Sequence, residues 1–221
     1  MRVAVLYSGG KDSTYTLWVA LHQYEVVSLV TVLSEEDSYL YQHQEEDVAK
    51  TLAQAVGLPL VLVRAENSEE ELGRLEEALR SLDVHAFLIG GLLSEYQRTK
   101  FNEVGRRVGI PCFAPLWRKD QSLLLTDLLN HFEVMLVKVA SMGLTGDDLG
   151  KILDRTLYDR LHELARTMGL SAVGEGGEYE TLVLNAPFFQ GKVEVEGFER
   201  DYDGTRMSGV LRNLRLSSKK R

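Results

Sequence analysis

The sequence predicts an α/β chain: a parallel sheet with helices on both faces, followed by a smaller α+β part. Three observations carry this. Short apolar runs rich in β-branched residues alternate with amphipathic segments through the first half. A glycine-rich turn separates the first run from the first helical pattern. After Gly177 the pattern changes to extended, alternating segments.

The elements follow in order. Val3–Tyr7, Val26–Leu33, Leu60–Val63 and Phe87–Ile89 read as strands, because each is continuous, apolar and bounded by Gly or polar turns. Ser13–Gln23, Glu45–Val56 and Ser68–Leu82 read as helices between them. The last opens as Asn67-Ser68-Glu69-Glu70-Glu71, a capped, acidic helix start. A further helix spans Glu95–Val108. In the second half Gln121–His131 and Leu157–Met168 read as helices and Val134–Val139 as a strand. Thr181–Leu184, Lys192–Glu196 and Gly209–Leu216 read as extended, with Glu199–Gly204 as a hairpin turn. A boundary near Pro115 divides the chain into residues 1–115 and a smaller part, residues 116–221.

The chain has 221 residues, 25 Lys+Arg against 33 Asp+Glu, and a net charge of −8. That length buries enough surface to dispense with a disulfide staple. With Cys112 as the one cysteine, neither an intrachain disulfide nor a structural cysteine zinc site is expected, which fits a reducing, cytoplasmic setting. The run Val3–Tyr7 stops at Ser8-Gly9-Gly10, so no signal peptide is expected. No apolar run approaches the ~20 residues of a spanning helix. The acidic balance argues against general nucleic-acid binding.

Chemistry concentrates first in Ser8-Gly9-Gly10-Lys11-Asp12-Ser13, between the first strand and the first helix. Adjacent glycines let a ligand approach the backbone, and a helix start offers N–H groups to an anion. Ser8 and Ser13 add hydroxyls and Lys11 a charge. The spacing fits neither a Walker A loop nor a dinucleotide fingerprint. It resembles the pyrophosphate loop of the N-type ATP pyrophosphatases. That resemblance implies an adenine nucleotide alpha hydrolase-like, Rossmann-like fold, with ATP phosphates on Ser8, Gly9, Gly10, Lys11, Asp12 and Ser13. It also implies Mg²⁺ at the phosphates, with Asp12 as the metal residue, and adenine near Thr31, Val32 and Leu33.

Later motifs narrow the group. A cysteine pair for sulfur transfer is missing, and no glutaminase segment is apparent. The motifs are Gly90-Gly91-Leu92-Leu93-Ser94-Glu95-Tyr96-Gln97-Arg98-Thr99-Lys100, Ala114-Pro115-Leu116-Trp117 and Gly174-Glu175-Gly176-Gly177-Glu178-Tyr179-Glu180-Thr181. Together with the phosphate loop and Asp37-Ser38-Tyr39, they resemble the diphthine–ammonia ligase family from Arg2 to about Phe189. Asn185 stands where that family commonly has Asp, and Gln42-His43 departs from its pattern.

Physically, Ser94 is a natural N-cap and Glu95 suits a helix start. Three carboxylates close together in Gly174–Thr181 repel unless something compensates. Mg²⁺, a cationic substrate and a solvated acidic turn all fit that composition, and the cationic substrate is favoured. Trp117 fits a cleft wall or a core position equally. The resemblance implies substrate binding by Ser94, Glu95, Tyr96, Gln97, Arg98, Trp117, Glu175, Gly176, Gly177, Glu178, Tyr179 and Glu180. Lys11, Asp12, Glu175 and Glu178 are the candidate catalytic residues. The implied reaction amidates diphthine on translation elongation factor 2 with ammonium, forming AMP and pyrophosphate. Two rivals are an adenylating ligase on another carboxylate or tRNA, and a non-catalytic ATP sensor. A homodimer stays open as the oligomeric state.

Overall fold

The computed structural model describes residues 1–33, 45–67, 69–91, 94–202 and 207–218. Asp37-Ser38-Tyr39, Gln42-His43, Ser68 and Leu92-Leu93 lie outside the described residues. Contacts divide the chain into two compact units, Met1–Arg118 and Lys119–Arg221.

The first unit runs β1 (Arg2–Leu6), α1 (Lys11–Gln23), β2 (Glu25–Leu33), α2 (Glu46–Val56), β3 (Leu60–Arg64), α3 (Glu71–Ser81), β4 (Ala86–Leu88), α4 (Glu95–Val108) and β5 (Cys112–Phe113). The strands pair in parallel in the order β3-β2-β1-β4-β5. The parallel α/β class read from the sequence is therefore the one observed. Val3, Ala4, Val5, Leu29 and Phe87 are fully buried because both faces of this sheet are covered. The chain winds out from β1 through β2 to β3, then returns to the other side of β1 as β4. The crevice of such a sheet lies beyond the carboxyl ends of β1 and β4, where the winding reverses.

Two details differ from the sequence expectation. α3 begins at Glu71 rather than at residue 68, because the Asn67 carboxamide accepts from the N–H groups of Glu69 and Glu70 in a turn ahead of the helix. β5 has only two residues, too few to show a period.

The second unit runs α5 (Gln121–His131), β6 (Glu133–Val139), a 3-10 turn (Gly146–Asp148), α6 (Arg155–Met168), β7 (Tyr179–Asn185), β8 (Gly191–Tyr202) and β9 (Met207–Ser218). Its strands are antiparallel in the order β7-β6-β9-β8. Residues 199–202 of the expected hairpin turn at Glu199–Gly204 belong to a strand instead. β8 continues to Tyr202, with Glu199 opposite Val210 and Tyr202 opposite Met207.

Asp148 holds the return segment after β6. Fully buried, it accepts from the Thr145 N–H at 2.8 Å, Lys151 Nζ at 2.9 Å and Arg160 Nη1 at 2.7 Å. Burial alone would raise its pKa. The hydrogen bonds from Lys151, Thr145 and Arg160, with the Arg160 charge, outweigh burial and hold the carboxyl below its ordinary 3.8. A depressed carboxylate stabilises the fold above its unfolded pKa and loses that contribution as pH falls through the folded value. Asp148→Ala is expected to cost about 2–4 kcal/mol, since the freed Lys151 and Arg160 can rehydrate. Urea unfolding followed by circular dichroism should also show a flatter stability profile below pH ~4 than in the unmodified chain.

Candidate functional site

The phosphate loop forms because β1 ends in a buried run and α1 starts without a side-chain cap. Gly9 has φ +72°, the left-handed region that glycine enters without a Cβ clash. Gly10 is the N-cap of α1 and makes no side-chain cap hydrogen bond. The loop therefore meets the N-terminal, positive end of the helix dipole, a setting that suits an anion.

The two serines tie the loop. The Ser8 N–H donates to Ser13 Oγ at 3.2 Å, the hydroxyls lie 3.1 Å apart, and Ser13 Oγ donates to the Gly10 carbonyl at 3.1 Å. Lys11 is 5% exposed and its Nζ lies 2.6 Å from Asp12 Oδ2. The other oxygen, Asp12 Oδ1, is buried without a hydrogen-bond partner. A buried carboxylate oxygen left over beside an anion cradle suits a hard cation such as Mg²⁺. No group of three or more His, Cys, Asp or Glu side chains could hold a metal ion among the described residues, so phosphate oxygens or water would complete the shell.

Residues from other strands support the loop. Tyr7 is buried, which pushes its phenol pKa well up, and its hydroxyl accepts from Thr14 Oγ1 at 3.4 Å. Thr31 Oγ1 donates to the Tyr7 carbonyl at 2.6 Å, so its hydroxyl braces β1. Val32 is buried and Leu33 half-buried at the end of β2. Gly90, just beyond β4, makes the closest support. A Cβ there would lie 2.8 Å from Ser13 N and 2.9 Å from the Asp12 carbonyl carbon. The sequence shows Gly90-Gly91 only as part of a motif, and this close approach is visible only in the fold.

α4 starts at the next crossing. Ser94 Oγ accepts from the Gln97 N–H at 3.3 Å, as an N-cap should. Trp117 packs with two guanidinium groups, Arg98 at 4.8 Å and Arg118 at 5.7 Å from the ring centroid. Glu95 bridges them, 3.0 Å from Arg118 Nη2 and 3.9 Å from Arg98 Nε. Tyr96 is 54% exposed, with Lys100 Nζ at 5.8 Å from its ring. The fold thus brings Glu95, Arg98 and Trp117 into one cation–aromatic cluster, with Arg118, which the sequence reading did not single out, as a further member, while Tyr96 pairs with Lys100 instead. Cys112 on β5 is pushed up to about 12 by burial, which removes it as a thiolate nucleophile near neutral pH.

The acidic loop belongs to the second unit and closes on itself. Glu178 Oε1 accepts from the Ser171 N–H at 2.7 Å and Oε2 from the Gly176 N–H at 2.8 Å. Gly177 has φ +80° and its N–H donates to the Gly174 carbonyl, forming the turn between the carboxylates. Tyr179 is buried and donates to the Ala172 carbonyl at 2.8 Å. Glu180 lies 3.2 Å from Lys138 Nζ, its cross-strand neighbour on β6. Glu175 is half-buried in the same turn. Asn185 ends β7 with Oδ1 buried and unpartnered, where a neutral amide costs less than a carboxylate.

Comparison with known proteins adds a separate line. The diphthamide synthase N-terminal domain matches residues 1–112, and the diphthamide synthase C-terminal domain matches residues 120–215. The chain belongs to the diphthamide synthase family. Diphthine–ammonia ligase of Danio rerio is 34% identical over 226 residues, covering 90% of this chain and 88% of that protein. The Homo sapiens protein of the same name is also 34% identical over 226 residues, covering 90% and 84%. The Schizosaccharomyces pombe protein of that name is 36% identical over 217 residues, but the match spans only 36% of its length. The two family domains fall within the two compact units. No helix is long and apolar enough to cross a membrane among the described residues.

Proposed function

We propose that this chain is an ATP-dependent ligase that amidates diphthine with ammonia, giving diphthamide, AMP and pyrophosphate. Family membership over both units carries the reading, and the glycine-capped phosphate loop supplies its chemistry. The substrate is translation elongation factor 2 bearing diphthine, in a reducing, cytoplasmic compartment.

ATP phosphates sit on Ser8–Ser13, with adenine toward Thr31–Leu33. Asp12 would hold Mg²⁺, which would supply neutralising charge at the phosphates when bound. Lys11 and the first-turn N–H groups of α1 hold the charge that builds on the leaving pyrophosphate. The diphthine carboxylate attacks the α-phosphate, pyrophosphate leaves, and an acyl-adenylate remains. Ammonia then attacks the acyl carbon, AMP leaves, and a proton passes to a nearby base.

The acidic loop divides these tasks. Glu178 shapes the turn through Ser171 and Gly176, and Glu180 is balanced by Lys138. The loop as a whole, Glu175 and Glu178 included, is assigned to the trimethylammonium group and to the proton from ammonia. Glu95, Tyr96, Arg98 and Trp117 are assigned to substrate binding.

AMP formation from Mg·ATP should require both ammonium and the diphthine-bearing factor. AMP formed with an unmodified factor, or with tRNA instead, would move the activity to another adenylating ligase. ATP bound but uncleaved under all these conditions would favour a sensor.

A further inference from the structure

We infer that Arg118 is a positioning residue of the substrate site: it engages Glu95, so that the Arg98 guanidinium, held over Trp117, is left to the substrate's carboxylate. The inference rests on the ligase reading and deepens it, since that reading gives Arg98 to the substrate without naming the group it meets.

Arg118 is the one non-glycine residue with positive φ among the described residues, at +55°. That left-handed backbone crowds Cβ against a carbonyl oxygen, and Gly or Asn adopts it at lower cost. The turn ahead of it is fixed by other groups. The Trp117 N–H donates to the Ala114 carbonyl at 3.1 Å, and Leu116 is buried. What the arginine adds is its side chain. Arg118 Nη2 donates to Glu95 Oε1 at 3.0 Å, and the guanidinium lies 5.7 Å from the Trp117 ring centroid. These contacts contribute little to stability, because the Arg118 side chain is 71% exposed and that of Glu95 60%. A strained residue whose contacts do not stabilise the fold points to a role in binding.

Glu95 is shared unequally between two guanidiniums. Its Oε1 accepts from Arg118, whereas Oε2 lies 3.9 Å from Arg98 Nε, beyond hydrogen-bond range. Arg98 is held instead by Trp117, with its guanidinium over the ring at 4.8 Å from the centroid. A guanidinium over an aromatic face keeps its in-plane N–H donors for a planar oxyanion. Two arginines and one carboxylate also leave a local positive charge, on a chain of net charge −8. Two consecutive glycines after β4 link this cluster to the phosphate loop. An added Cβ at Gly90 would meet Ser13 N at 2.8 Å, and one at Gly91 would meet Gln97 Oε1 at 3.5 Å. Gln97 precedes Arg98 in the first turn of α4, and all these residues belong to the first unit. The loop and Lys11 already serve the nucleotide phosphates. The oxyanion for Arg98 is therefore the substrate's carboxylate, which must approach a phosphate of like charge.

The test uses Arg118→Asn and Arg118→Asn/Glu95→Gln in the full chain. Asn accepts the positive φ without the charge. It frees Glu95 to close on Arg98 and compete with the substrate's carboxylate. The double variant removes that competitor and restores the local charge balance, so Glu95 acts through Arg98 and makes no contact with the substrate itself. Arg118→Asn should melt no lower than the unmodified chain. Its KM for diphthine-bearing elongation factor 2 should rise about fivefold, with kcat and the KM for ATP unchanged. The double variant should return that KM to within about twofold. An unchanged KM in Arg118→Asn would overturn the inference. So would a rise that persists in the double variant, which would make Arg118 itself a substrate contact. A rise in the KM for ATP instead would give Arg98 to a phosphate, and a lower melt with both KM values raised would make Arg118 structural; either overturns it. If the unmodified chain does not amidate the factor, the ligase reading falls and this inference with it. If the unmodified chain is active and Arg118→Asn matches it, only the inference falls.

Discussion

Asp12→Ala is expected to lower AMP formation about 10³-fold or more. Two losses combine. Lys11 is 5% exposed and keeps its ammonium 2.6 Å from Asp12 Oδ2, so the substitution strips a buried cation of its neighbouring charge. Asp12 Oδ1, the buried oxygen without a hydrogen-bond partner, also disappears from the phosphate site. Asp12→Asn separates shape from charge. It keeps the volume and one oxygen but removes the negative charge, and it should remain about as impaired if charge matters at both places. Steady-state AMP formation is the primary measurement, and calorimetric ATP binding without chemistry is the second. Activity within tenfold of the unmodified chain would contradict the role given to Asp12.

Gly90→Ala is expected to reduce activity about 10²-fold while the fold survives. The added methyl would meet Ser13 N at 2.8 Å, the Asp12 carbonyl carbon at 2.9 Å and Ser13 Cα at 3.0 Å. These are backbone atoms in the first turn of α1 and cannot swing aside as a side chain tip could. Relief requires the turn itself to shift, and with it the N–H groups that face the phosphates. The neighbouring glycine provides the control. A Cβ at Gly91 meets Gln97 Oε1 at 3.5 Å, an ordinary contact, so Gly91→Ala should leave ATP affinity almost unchanged. Equal effects of the two substitutions would contradict a specific role for Gly90.

Both predictions concern features read to different depths in the sequence. The phosphate loop was legible because its parts are contiguous: a strand end, two glycines and a helix start. The parallel sheet was legible because β1–β4 are continuous apolar runs, whereas two-residue β5 has no period to read. The contact of Gly90 with α1 was hidden, since it depends on β4 returning beside β1. The same holds for Trp117, whose partner Arg98 comes from another element. In the acidic loop, composition showed three carboxylates. It could not show that Glu178 spends both oxygens on N–H groups or that Glu180 faces Lys138. Such divisions arise from register and turn geometry, which composition does not encode.

The most direct test of the ligase reading is the intact mass of diphthine-bearing elongation factor 2 after incubation with the chain, Mg·ATP and ¹⁵N-ammonium. The account predicts conversion of acid to amide, with ¹⁵N retained in the factor and one AMP released per amide formed. AMP released without any label in the factor would contradict it.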